Sequence, residues 1–224
     1  MNEEFNESTY ARAMPTPAHE EPRIAFVMSH IPATGARILD LGCWDGAYAA
    51  RYKRAGNYVA GIESSPTAAR MARERGVDAR VGNVMETHHF DERFDIVVAG
   101  EIIEHVFDTD DFIKIVSSYL KPGGLLVVTT PNVASLPRRL LLLLGINPYL
   151  ENRVIQGVSV GHIRYFTFIE LTQLLRDRQL EIVDEQTDIL NVSSSGRFCI
   201  SSVPHLFRRI GRTICVAARL QASS

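Results

Sequence analysis

The chain has 224 residues, 46% of them hydrophobic and 22% charged, the makeup of a globular protein large enough to bury one core. A net charge of −2 and a pI near 6.4 leave no overall basic field to hold nucleic acid by counterion release, which argues against a nucleic-acid partner. Three cysteines, Cys43, Cys199 and Cys215, lack metal-type spacing and point to reduced thiols in a cytoplasmic setting.

Met1 to Glu21 is acidic and polar, with no apolar run of signal-peptide type. Residues 1–20 read as a cap or a flexible tail, with Tyr10 and Arg12 as candidates to close over a ligand. Arg37–Leu41 reads as a first strand, followed by a turn and a helix over 47–55. Tyr58–Ile62 is a second strand, and Pro66 suits the first turn of a helix reaching Arg75. Asp78–Val81 is a short third strand, and Phe94–Ala99 a fourth, apolar enough to be buried on both faces. A helix over 108–120 is stopped by Lys121-Pro122-Gly123-Gly124, which turns the chain into a fifth strand, Leu125–Thr130. A helix over 167–178 and two strands, Glu181–Thr187 and Arg212–Leu220, complete the pattern; their connection has no crossover helix, which predicts antiparallel pairing.

This alternation predicts βαβ units: a single α/β domain over 1–224 with a Rossmann-like, seven-stranded, mostly parallel sheet, a C-terminal antiparallel strand and helices on both faces. Residues 133–164 break the pattern and read as a lid or substrate-binding insertion. Within it, Pro137-Arg138-Arg139 beside Leu140–Leu144 reads as a short helix packed on the core, or as a lid over an apolar substrate or a patch resting on anionic membrane. That apolar run is far short of the roughly 20 residues that span a bilayer, so no transmembrane segment is expected. Tyr149, Arg153 and Tyr165 are candidates to line an acceptor pocket. Arg208, Arg209 and Arg212 cluster near the C-terminus, as a solvated face rather than an RNA-binding patch.

The most informative stretch is Ile38-Leu39-Asp40-Leu41-Gly42-Cys43-Trp44-Asp45-Gly46, a strand running into a glycine turn and a helix start. That geometry presents backbone N–H groups to an anionic or polar ligand. Gly42 lets a ligand approach the backbone, and Gly46 allows close packing of helix on strand. A dinucleotide fingerprint requires a middle glycine to admit the pyrophosphate, whereas this chain offers Gly42-x-Trp44-x-x-Ala47. S-adenosylmethionine (SAM) has no phosphate, and Asp40 suits its ammonium group.

Asp40-x-Gly42-x-x-x-Gly46 resembles the first motif of class I SAM-dependent methyltransferases, whose usual glycine is replaced here by Trp44. Glu63, 21 residues past Gly42, stands where the family's acidic residue accepts hydrogen bonds from ribose hydroxyls. Asn83 stands where a family residue contacts adenine, and Phe94-Asp95-Ile96-Val97-Val98-Ala99-Gly100-Glu101 resembles the fourth-strand motif beside the methionine portion. The resemblance implies a cofactor set of Asp40, Gly42, Cys43, Trp44, Gly46, Glu63, Ser64, Asn83, Val84, Gly100 and Glu101.

Glu101-Ile102-Ile103-Glu104-His105 follows the fourth strand, at the sheet edge where ligands of such folds bind. If this segment is helical, Glu101, Glu104 and His105 share one face and offer two carboxylates and an imidazole to a divalent metal. The pattern is similar to that of ubiquinone-biosynthesis O-methyltransferases and of small-RNA 3′-end 2′-O-methyltransferases, and His162 is the implied fourth ligand for Mg, Mn or Zn. Glu104-His105 is also similar to metal-free small-molecule methyltransferases, in which His105 would be a base or positioning group and Glu104 its catalytic companion. The expected activity is methyl transfer from SAM to a hydroxyl of a small molecule, a sugar, catechol or other polyol. An RNA-end 2′-O-methyltransferase and a catalytically silent SAM-binding scaffold are the rival readings.

Overall fold

A computed structural model describes residues 21–53, 56–148, 161–191, 199–200 and 207–221. Tyr10, Arg12, Tyr149 and Arg153 lie outside these residues. Nine strands and six helices are numbered here in chain order among the described residues: α1 (Glu21–Ser29), β1 (Arg37–Leu41), α2 (Ala49–Tyr52), β2 (Tyr58–Glu63), α3 (Pro66–Glu74), β3 (Asp78–Val81), β4 (Phe94–Gly100), α4 (Thr109–Tyr119), β5 (Leu120–Pro131), α5 (Leu136–Leu143), α6 (Phe168–Asp177), β6 (Leu180–Thr187), β7 (Leu190–Asn191), β8 (Cys199–Ile200) and β9 (Thr213–Leu220).

Seven strands form one sheet in the order β3-β2-β1-β4-β5-β9-β6, and β7 and β8 make a separate small hairpin. The pairs β1–β2, β1–β4, β2–β3 and β4–β5 are parallel, while β9 runs antiparallel to both β5 and β6. The expected sheet is therefore present, with the last strand inserted between the fifth and sixth. Side chains alternate across each strand and build two apolar layers. Leu39, Leu41, Val97 and Val128 face Phe112 and Val116 of α4 and Leu171 of α6. Ile38, Ile96, Val98 and Val127 face Phe26 of α1, Tyr52 of α2 and Ala69 and Ala72 of α3.

Local chemistry sets the ends. Ser65 caps α3 by accepting from Ala68 N, with Pro66 in the first turn. Asp108 caps α4, and Thr167 with Glu170 forms a reciprocal capping box on α6. Three boundaries depart from expectation. The helix expected over 47–55 is limited to Ala49–Tyr52, because Lys53 leaves helical space at ψ 73°. Lys121 to Gly124 does stop α4 but is absorbed into β5, where the pairing jumps from Phe94↔Leu120 to Ile96↔Leu125. Helix α1, with Ile24, Phe26 and Val27 buried, was not anticipated at all.

Helix α5 forms within the insertion but buries none of its residues. Leu140, Leu142, Leu143 and Leu144 are exposed, Leu143 by 82%, which removes the expectation of a helix packed on the core. No helix among the described residues is long and apolar enough to cross a membrane.

Candidate active site

The turn after β1 keeps its shape despite the bulky substitution. Gly42 has φ +69°, Trp44 +47° and Gly46 +77°, so the indole-bearing residue adopts the left-handed conformation that glycine normally supplies. For a non-glycine residue this costs about 1–2 kcal/mol. Trp44 N donates to Glu63 Oε2 at 2.9 Å, which offsets part of that strain. The other oxygen, Glu63 Oε1, accepts from Ser65 N at 2.9 Å and Ser64 Oγ at 3.3 Å. Glu63 thus ties the ends of β1 and β2 together. A carboxylate offers about four acceptor sites, so capacity remains for a ligand hydroxyl.

A Cβ added to Gly46 would lie 2.7 Å from Ala72 Cα. The close approach is therefore between the turn and α3, not between the following helix and its own strand.

A cavity of about 480 Å³ opens at the carboxyl ends of β1, β2 and β4, within the size range of small-ligand sites. Every residue of the expected cofactor set lines it except Gly46, which acts as a spacer behind the turn. Sequence reasoning missed Arg23, Tyr48 and Tyr52, which also line it. Arg23 comes from α1, is buried, lies 5.5 Å over the Tyr48 ring, and has Nη1 3.4 Å from Thr129 Oγ1. Pro22 at a helix start followed by apolar Ile24, Phe26 and Val27 was the available signal for that helix. Burial pushes the Asp40 carboxyl up to about 7, with Arg23 opposing and Glu63 adding to the shift. Asn83 Oδ1 accepts from Met85 N at 3.0 Å and so shapes the loop after β3.

The segment after β4 is not the helix that would align three ligands. Glu101 has φ +55°, and only Ile103–His105 forms a short 3-10 turn. Glu104, His105 and His162 converge, with their ligand atoms within 4.8 Å of one another; Glu101 is outside that group and lines the cavity instead. His162 arrives because residues 161–166 strap across the turn. Ile163 N and Arg164 N both donate to Glu104 O, at 2.9 and 3.0 Å, and Arg164 Nε donates to Phe107 O at 3.1 Å. Tyr165, the third acceptor-pocket candidate, is half exposed on this strap.

Glu104 is 1% exposed. Its Oε2 accepts from Thr130 Oγ1 at 2.9 Å. Its Oε1 is buried, accepts no hydrogen bond among the described residues, and lies 3.8 Å from His162 Nε2. Burial, reinforced by the Glu101 charge, pushes the Glu104 carboxyl well above the usual range. A buried carboxylate oxygen facing two imidazoles fits a divalent cation, whose charge would return Glu104 to its ionised form. His105 lines the cavity, and its Nδ1 is 3.2 Å from Gly161 O. A carbonyl can only accept, so Nδ1 is the donor in this contact. The His105 and His162 rings meet edge to face, with centroids 4.8 Å apart.

A doubly wound sheet with a SAM-type glycine turn, a buried acidic residue at the end of β2 and a cavity across the strand ends defines a class I methyltransferase. Comparison with known proteins agrees. A family model described as a methyltransferase domain matches residues 11–185. A ubiquinone biosynthesis O-methyltransferase of Bradyrhizobium sp. (strain ORS 278) is 33% identical over 178 residues, covering 75% of this chain and 67% of that protein. The protein of the same name from Brucella ovis is 29% identical, covering 74% of this chain and 64% of that one. Among solved structures, a SAM-dependent methyltransferase of Thermotoga maritima superposes with a TM-score of 0.66 at 20% identity, covering 97% of this chain and 94% of the other. The N-methyltransferase NodS of Bradyrhizobium japonicum, in complex with S-adenosyl-L-homocysteine, gives 0.65 at 16% identity, covering 96% and 95%. The chain belongs to the SAM-dependent methyltransferases of this domain family, and SAM is its cofactor.

Proposed function

We propose that this chain is an O-methyltransferase that transfers the methyl group of SAM to a hydroxyl of a small polyol, catechol or sugar, with His105 as the catalytic base and Glu104 supporting it. The observation that carries this reading is that His105 lines the same cavity as Asp40 and Glu63 and has its Nδ1 proton engaged by Gly161 O. SAM supplies a methyl already activated by its sulfonium. Asp40 faces the ammonium of the bound cofactor, Arg23 faces its carboxylate, and the one remaining acceptor position of Glu63 takes a ribose hydroxyl. The protein then has two tasks: to align acceptor and donor, and to remove a proton from a hydroxyl that is otherwise a poor nucleophile. His105 Nε2 accepts that proton. A divalent ion held by Glu104, His105 and His162 would instead acidify a hydroxyl bound to it.

Helix α5 leaves the carboxyl end of β5, on the same edge as the cavity, and turns four leucines outward next to Arg138 and Arg139. This supports an apolar acceptor, or one delivered from an anionic membrane surface. Arg208 pairs with Glu185 at 2.8 Å and Arg212 with the buried Asp188, so their charges are met within the chain, against an RNA acceptor. The test is methyl transfer from radiolabelled SAM to a panel of catechols, sugars and polyols, by wild type and His105→Ala, with and without chelator. Loss of general-base catalysis should cut turnover by about 10²–10⁴ while SAM affinity is retained. Full turnover in His105→Ala would remove the proposed base.

A further inference from the structure

A second group of metal-type ligands lies away from the site just described, on the loop after β3: Glu86, His88 and His89, whose ligand atoms are all within 4.8 Å of one another. His88 Nε2 lies 3.6 Å from Glu86 Oε2, and His89 Nε2 lies 3.4 Å from the same oxygen. A tetrahedral zinc-type ion with donors at about 2.0–2.2 Å requires donor-to-donor separations of roughly 3.3–3.6 Å. Both measured separations fall in that interval before any ion is added.

The loop is built to hold these donors. Tyr119 Oη donates to Glu86 O at 2.9 Å, and Arg80 donates to His89 O. The His89 ring is buried against Gly82, where an added Cβ would lie 2.0 Å from Cε1. Asn83 O receives both Glu86 N, at 3.0 Å, and His89 Nε2, at 2.9 Å. His88 and Glu86 are exposed, so an ion reaches the group from solvent.

We propose that Glu86, His88 and His89 form a second divalent-metal site, selective for a borderline transition ion such as Zn²⁺, with solvent completing the coordination. Two imidazoles and one carboxylate select such ions over Mg²⁺, which favours all-oxygen ligands. Asn83 O can only accept, so His89 Nε2 carries a proton in the metal-free chain. Binding breaks that contact: the neutral ring carries its one proton on Nδ1 instead and offers the Nε2 lone pair to the ion. The same loop carries Asn83, Val84 and Met85 to the cofactor cavity, so the ion would clamp one cavity wall from outside.

The experiment is titration of chelator-stripped full-length protein with Zn²⁺ against a chromophoric competitor, in wild type, His88→Ala and the double variant Glu104→Gln/His162→Ala. Retained binding of S-adenosyl-L-homocysteine confirms that each variant is folded. An ion that persists in the double variant, and is weakened in His88→Ala by more than the roughly 10–100-fold typical of losing an outer-shell partner, sustains the proposal. It does so whether or not a further ion is lost from the active site, which separates this inference from the proposed function. Zn²⁺ binding of equal strength and number in wild type and His88→Ala overturns it, as does the absence of binding in the double variant.

Discussion

Replacing Asp40 with asparagine should make the cofactor-free protein more stable at pH 8, although it removes a residue of the binding site. Burial raises the folded-state pKa of Asp40 from 3.8 to about 7. Between those values the folded chain keeps a proton that the unfolded chain has released, so stability falls as pH rises through this window. The penalty is roughly 2 kcal/mol at pH 5 and about 4 kcal/mol at pH 8, and asparagine, shaped like the neutral acid, escapes it. For a chain of this size each kcal/mol moves Tm by about 2–4 °C, so the gain at pH 8 is on the order of 8–16 °C and about half that at pH 5. Differential scanning fluorimetry across pH 5–8 reads both values. Added S-adenosyl-L-homocysteine should stabilise wild type more than Asp40→Asn, because its ammonium compensates only the carboxylate. A variant that melts below wild type at pH 8, or a gain that does not vary with pH, would refute the assignment of a desolvated acid.

Arg23→Met removes the one guanidinium among the described residues lining the cavity and should weaken cofactor binding by roughly 10–150-fold, the worth of a hydrogen bond to a charged group, as read by calorimetry. Gly46→Ala drives a Cβ to within 2.7 Å of Ala72 Cα at a positive φ. It should cost about 2–5 kcal/mol from overpacking and left-handed strain, measurable by urea denaturation, and a change below 0.5 kcal/mol would contradict that geometry. Leu142→Ser with Leu143→Ser should reduce co-sedimentation with phosphatidylglycerol vesicles without altering cofactor affinity. Unchanged sedimentation would remove the membrane-facing role of α5.

The sheet was legible because its signals are local. Apolar runs such as Phe94–Ala99, glycine turns and helix caps each act over a few residues, and the predicted strand bounds differ from the observed ones by little more than a residue where no bulge intervenes. Where a bulge does intervene, at Lys121 to Gly124, the neighbouring strand decided the outcome by pairing with Leu120. The cofactor cavity was legible for a related reason. Its lining comes largely from strand ends, which a parallel sheet must bring to one edge whatever else the chain does.

Linear order is silent on what converges from distant segments. Nothing around Arg23 states that α1 would carry it into the cavity beside Asp40, and nothing in Glu101-x-x-Glu104-His105 states that Glu101 would fall outside the group formed by Glu104, His105 and His162. Backbone conformation at Glu101 and the strap of residues 161–166 made those choices, since two amides on one carbonyl set where His162 arrives. Motifs and their spacing were enough to declare the fold and the cofactor, because both depend on short-range geometry. The composition of the catalytic group depends on long-range hydrogen bonds and burial, which exist only once the chain has closed on itself.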